Sequence, residues 1–296
     1  MNIELIGRRR KQAAVPLLEF NAANTTPSAG SLTNVIGPNW TVVRDSIATY
    51  KTSDTTVAQV AANVPRIENR AVLIESASTN IMPNSNNLNT LTKSNCTLTV
   101  DTAISPLGTQ TAATVVFNSP AYGPYFTDNG AWNIGEGFNI SCWLRADSPV
   151  ELWIGANDKS AAPEGKGAKK ITVGTEWARY DFDYTNGRNG TTGGYPSVAT
   201  KDISPVDTDH TPACTVYMWS FQWEKNQPVS SYIPTSGTSL TRAADVITIA
   251  VPAGRPPLIM TETIRGIQQA PVTVTEGQII TMKNGTTKLV INQAEN

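Results

Sequence analysis

Apolar and polar residues alternate with period two from about residue 96 to 250, and this restricts the fold more than any other feature. In the run 138–145, Phe138, Ile140, Cys142 and Leu144 share one face, and Asn139, Ser141, Trp143 and Arg145 the other. Val150, Leu152 and Ile154 make an apolar face opposite Glu151 and Trp153. Ala178, Tyr180, Phe182 and Tyr184 alternate with Trp177, Arg179, Asp181 and Asp183. A fourth run sets Thr215, Tyr217, Trp219, Phe221 and Trp223 against Val216, Met218, Ser220 and Gln222. It is apolar on both faces, as a central strand is. Asp128-Asn129-Gly130, Asn186-Gly187, Asn189-Gly190 and Gly193-Gly194 supply turns between runs, and no helical period is sustained. The expected fold class is all-β, an antiparallel β-sandwich of jelly-roll type.

Composition narrows the function classes. Only 16% of the 296 residues are charged, against ~25% in an ordinary soluble domain, and the net charge is −1. No global field draws the chain to nucleic acid or to a membrane surface. No run approaches the ~18 apolar residues of a spanning helix, so membrane insertion is not expected. The first eleven residues place Arg8, Arg9, Arg10 and Lys11 after a short apolar run, the reverse of a secretion signal. That basic run suits a solvated terminus first, and otherwise a grip on an acidic particle surface or a contact with nucleic acid. Cys96, Cys142 and Cys214 lack metal-ligand spacing, and the latter two sit in apolar alternating runs as small buried hydrophobes. His210 is the only histidine, so multi-histidine metal sites are excluded.

Two flanks differ from the middle. Residues 1–66 are rich in Thr, Asn and Ser, carry Pro27, Pro38 and Pro65, and are expected to form an irregular anchoring arm. A jelly roll is expected over 67–250. Pro252, Pro256 and Pro257 then introduce a tail over 251–296. There 278–283, Asn284-Gly285 and 286–291 read as a two-residue β-hairpin. An isolated hairpin is marginal in water, so this one is expected to pack on another chain or copy.

Three segments carry a resemblance. The first is Trp40-Thr41-Val42-Val43-Arg44-Asp45-Ser46-Ile47-Ala48-Thr49-Tyr50 with Ala61-Ala62-Asn63-Val64-Pro65-Arg66. The second is Val72-Leu73-Ile74-Glu75-Ser76-Ala77-Ser78-Thr79-Asn80-Ile81. The third joins Val216–Lys225 to Ser231-Tyr232-Ile233-Pro234-Thr235 and Thr241-Arg242-Ala243-Ala244-Asp245. In order and spacing they are similar to a recurrent module of bacteriophage tail and virion structural proteins. They frame residues 40–247. Between them that family carries a jelly roll like carbohydrate-binding modules of the galactose-binding type, and Ser141–Ala146 resembles one of its strands. Phe221 and Trp223 stand where the family has small and aliphatic residues, and nothing beyond residue 250 matches.

The resemblance implies a virion protein, assembled in the host cytoplasm, of the fibre, collar or head-decoration type. Its jelly roll would attach to host surface polysaccharide. Its partners would be other virion proteins of capsid, collar or tail and further copies of itself, a trimer first. A structural joint without glycan binding is the alternative. Sugar-binding modules set an aromatic ring against the CH face of a pyranose and bond its hydroxyls with polar side chains. Trp143 with Arg145 and Trp153 with Glu151, on what alternation makes the solvent side, are the expected platform, with Tyr125 and Trp132, besides Tyr122 and Phe126, at its rim.

No cofactor is expected. The resemblance raises one exception, a structural calcium near Asn80, Asn84 and Gln222, although calcium prefers six to eight oxygens rich in carboxylates. Asp207 and Asp209 read as solvated loop acids. His210 lies in a polar turn, no G-x-S-x-G elbow is present and no internal repeat marks a depolymerase, so no enzyme activity is expected.

Overall fold

The computed structural model of the chain describes residues 18–21, 40–68, 71–157, 166–186, 191–192, 194–202, 209–225, 229–251, 258–264, 267–281 and 286–293. The chain is all-β and antiparallel, in two compact units. One unit holds residues 43–69 and 73–245; the other holds 1–42, 70–72 and 246–296. The division expected at 66 and 250 therefore falls elsewhere. Residues 43–69 belong with the sandwich, because Arg44 and Arg66 are bonded into it.

Ten strands build the two five-stranded sheets of the sandwich unit. They are β1 (Thr92–Ser94), β2 (Cys96–Ala103), β3 (Ala112–Phe117), β4 (Gly123–Tyr125), β5 (Gly137–Ala146), β6 (Val150–Asn157), β7 (Lys166–Val173), β8 (Ala178–Thr185), β9 (Ser197–Ala199) and β10 (Cys214–Lys225). One sheet has the order β8-β5-β10-β3-β2, and the other β7-β6-β9-β4-β1. The long apolar run is the central strand β10, as its two apolar faces predicted. Phe138, Ile140, Cys142 and Leu144 on β5 are buried with Val115 and Phe117 on β3. Leu152 and Ile154 on β6, Ile171 and Val173 on β7 and Val198 on β9 complete that core from the second sheet. Burial of such side chains supplies ~1.5–3 kcal/mol each.

Simple alternation fails at one point of β10. Ser220 has φ +58°, and the register with β5 shifts between Ser141 and Trp143. One extra residue in the strand makes a β-bulge, which flips every following side chain to the other face. Val216 and Met218 before the bulge and Phe221 and Trp223 after it thus enter the same core, while Trp219 faces away with Trp143. Trp219 was expected on the face of Phe221 and Trp223. Gly123 has φ +70°, and a Cβ there would lie 1.9 Å from the Val198 carbonyl oxygen, so β4 can approach β9 only with glycine.

In the second unit, Leu18–Asn21 pairs with Thr286–Gln293 in the register Leu18↔Ile291, and Thr286–Gln293 pairs in turn with Leu258–Ile264. Ile279–Thr281 instead joins Val246–Ala250 in a separate three-stranded sheet with Trp40–Val43. The expected hairpin is therefore not formed: the strands flanking Asn284-Gly285 belong to different sheets, each with another partner. The turn itself, and Arg8 to Lys11, lie outside the described residues. The described part of the expected arm carries four strands, Leu18–Asn21, Trp40–Val43, Ala48–Lys51 and Val57–Val60, with turns and loop between the last three. Among the described residues no helix is long and apolar enough to cross a membrane.

Candidate functional site

The segments carrying the resemblance meet inside the sandwich unit. Asp245 Oδ1 accepts Arg44 Nη1 at 2.9 Å, and Oδ2 accepts Arg66 Nη2 and, at 2.9 Å, the Glu75 backbone N–H. Glu75 Oε2 accepts Arg66 Nη1 at 2.7 Å and the Ser231 hydroxyl at 2.7 Å, and Arg242 Nη2 lies 3.4 Å away. Further guanidinium N–H groups reach backbone oxygens of Ser46, Ala61, Thr49, Ser76 and Ala243, while Arg66 Nε and Arg242 Nε are buried without an acceptor. Each of the three arginines has a side chain no more than 1% exposed. Burial raises the Glu75 carboxyl pKa, but Arg242, Arg66 and the Ser231 bonds outweigh it and leave the group below its usual value of 4.5.

A second buried carboxylate adjoins this cluster. Glu224 accepts Ser78 Oγ at 2.5 Å, Ser230 Oγ at 2.6 Å, Gln222 Nε2 at 2.8 Å and the Ser230 N–H at 3.1 Å. The bulge at Ser220 is what turns Gln222 and Glu224 toward these serines. Asn80 ties the pieces together, accepting from Met82 and Trp223 backbone N–H groups and donating to the Ile233 carbonyl. Apart from Ser230 and Met82, these residues were visible as motif letters; that they contact one another was not, because their partners lie up to 201 positions away.

The expected aromatic platform is not on the surface. Trp143 is 1% exposed and packs with Val57, Ala103, Ala112, Trp219 and Tyr232. The motif segments cover the sheet face that alternation assigned to solvent. Trp153 is 4% exposed, with the Lys170 ammonium 4.9 Å from its ring. Glu151, largely exposed, pairs with Lys170 at 2.9 Å. Trp132 is core: its indole N–H donates to Asp128 at 2.7 Å and its ring lies 4.6 Å from Phe138. Arg145 stacks 4.0 Å over Tyr217. Tyr125 is half-buried, edge-on to Tyr195 at 5.2 Å, and Tyr122 stays exposed near Lys201. These side chains do not form one site.

The proposed calcium donors are already used. Asn80 Oδ1 accepts two backbone N–H groups, Gln222 Oε1 accepts Ile233 N–H at 2.7 Å and Asn84 Oδ1 accepts Gly237 N–H at 2.8 Å. Such a set does not fit calcium. Among the described residues no cluster of three His, Cys, Asp or Glu groups suits a metal. Asp207 is outside the described residues; Asp209 pairs with Lys170 at 3.1 Å, and His210 bridges to Lys201 through the backbone.

What the structure offers instead is a cavity of about 190 Å³ beside the charge cluster, walled by Tyr50, Lys51, Glu68, Trp143, Arg179 and Tyr232 among others. Arg179 Nη2 donates to Ser141 Oγ at 2.8 Å. Arg179 Nε and Trp143 Nε1 are buried donors without an acceptor.

No family model matches the chain, and no curated protein matches it. Among solved structures it is similar to the CBM22-1 xylan-binding domain of a Paenibacillus barcinonensis protein, at 11% identity and TM-score 0.34, over 51% of this chain and 94% of that one. It is also similar to a family 11 carbohydrate-binding module from Clostridium thermocellum in complex with a mixed-linked tetrasaccharide, at 7% identity and TM-score 0.31, over 50% and 96%. A third is the enzymatically active domain of tailspike protein 4 of bacteriophage CBA120, at 11% identity and TM-score 0.28, over 51% of this chain and 19% of that one.

Proposed function

We propose that this protein is a structural component of a bacteriophage virion, of fibre, collar or head-decoration type, whose sandwich unit attaches to host-surface glycan. The observation that carries the reading is the convergence of the motif segments. Arg44, Arg66, Glu75, Arg242 and Asp245 come from four stretches of chain and pair with one another in one buried cluster. Residues that depend on each other this closely are kept or lost together, which supports treating the resemblance as that of one whole folded unit. Attachment by weak single contacts becomes effective in many copies, where avidity exceeds single-site affinity by ~10²–10⁴.

The test presents the full chain multivalently to an array of bacterial surface polysaccharides and to bacterial cells. Saturable binding supports attachment. The burial of Trp143, Trp153 and Trp132 favours a second reading, a joint of the particle that touches no sugar. Under it the array stays blank while antibodies to the chain still label assembled particles. We take the protein to be no enzyme under either reading; release of reducing sugar from a bound polysaccharide would overturn that.

A further inference from the structure

The cavity beside the charge cluster has an unbalanced wall. Lys51 and Arg179 both line it, and among the described residues neither has a carboxylate at ion-pair distance. The two acids of the wall are engaged elsewhere. Glu75 is held by Arg66 at 2.7 Å and by Ser231, and Glu68 Oε2 accepts the Lys51 backbone N–H at 3.2 Å. Two further donors, Arg179 Nε–H and Trp143 Nε1–H, are buried with no acceptor. Buried donors of this kind are rare enough in folded proteins that each calls for a partner. Everything unsatisfied here is cationic or a donor, so the missing partner is an anion rich in acceptor oxygens.

Size and surroundings narrow it further. At about 190 Å³ the cavity is smaller than the ~300–1,000 Å³ of a drug-sized ligand site, which leaves space for one ring rather than an oligosaccharide. Its remaining wall is part apolar, with Val57, Leu73, Val229 and the Trp143 side chain, and part hydroxyl, with Ser230. Arg179 is already fixed by Ser141, and the Lys51 ammonium stands 5.9 Å from the Trp143 ring, so little ordering remains to be done on binding.

Resting on the attachment reading, we infer that this cavity takes a carboxylate-bearing sugar residue of the uronate class, its carboxylate between Lys51 and Arg179 beside Trp143. A neutral sugar would bring no carboxylate to Lys51 or Arg179, neither of which has one at ion-pair distance among the described residues. A simple carboxylate would leave the apolar wall unfilled.

Isothermal titration of the full chain with sodium glucuronate, methyl glucoside and sodium acetate tests the assignment. Glucuronate should bind saturably, at least tenfold more tightly than either of the others, and less tightly as salt rises. Lys51→Met should weaken it about tenfold or more. Arg179→Gln should do the same, but Arg179 is part of the packed sheet; the Lys51 variant, at a half-buried position, keeps the test decisive if the other fails to fold. No heat with glucuronate, equal affinity for methyl glucoside or acetate, or an unchanged Lys51→Met protein would overturn the inference; a cavity filled only by water gives the first of these. The polysaccharide array separates the two readings. Binding to neutral polysaccharides alone leaves attachment standing and removes the acidic pocket. Glucuronate binding with a blank array keeps the pocket and removes attachment.

Discussion

Asp245→Asn removes the carboxylate on which two buried arginines converge. In the native chain Arg44, Arg66 and Arg242 face Glu75 and Asp245, so the cluster already carries one positive charge in excess. The substitution makes that two, at a position whose side chain is 2% exposed, and it puts an amide where the Arg66 guanidinium and the Glu75 N–H share one oxygen. Breaking a buried pair by removing one partner costs ~3–5 kcal/mol, because the other charge stays buried without compensation. For a unit of ~150–250 residues each kcal/mol moves the midpoint by ~2–4 °C, so a fall of roughly 6–20 °C is expected. Near-UV circular dichroism reads it well, since six of the seven tryptophans lie in the sandwich unit. Glu151→Gln, which breaks the exposed pair with Lys170, is the control and should leave the midpoint in place. A loss for Asp245→Asn below ~1 kcal/mol, the scale of an exposed pair, would refute the claim that this cluster clamps residues 43–69 to the sandwich.

Three further outcomes are expected. The depressed Glu75 pKa gives stability that is fully present above its usual value of 4.5 and is lost as pH falls through its lower folded value; Glu75→Gln should therefore start less stable at pH 7 and lose less on acidification to pH 3, as urea midpoints will report. Ser220→Gly should raise stability by up to ~1 kcal/mol in chemical denaturation, because it relieves a left-handed backbone and removes a buried hydroxyl without a partner. Burial pushes the Cys142 thiol far above its ordinary pKa and also raises Cys96 and Cys214, so at pH 8 mass spectrometry should find Cys142 unalkylated in the folded chain and all three labelled in denaturant.

What the sequence disclosed depended on how far apart the interacting residues are. The core face of β5 was legible because Phe138 to Leu144 alternate without interruption and alternation needs only neighbours. β10 was legible as a central strand but not in its faces, since nothing in Trp219-Ser220-Phe221 announces a bulge. Trp143 was assigned to the correct side of its sheet. Alternation tells which way a side chain points and not what later covers it, and here Val57 and Tyr232 do. The Asn284-Gly285 signal was local and was overridden: Thr286–Gln293 finds seven partners along Leu258–Ile264, more than a marginal two-stranded hairpin offers. Lys51 and Arg179 carried no signal at all, because a cavity exists only once distant segments have met.

The pairing of Leu18–Asn21 with Thr286–Gln293 sets an order of events during synthesis. The sandwich unit can close once Asp245 has been made, because that residue completes its charge cluster. The other unit cannot: Leu18–Asn21, its earliest described strand, has no edge to join until nearly fifty more residues have been added. At ~5–20 residues per second this is a delay of several seconds, with Leu18–Asn21 made and its hydrogen-bonding groups open to any neighbouring chain. Products that stop early thus contain a finished sandwich beside a unit that cannot form its sheet. Their unpaired edges mark them for aggregation or proteolysis, so the pairing of Leu18–Asn21 with Thr286–Gln293 makes this sheet depend on translation having passed Gln293.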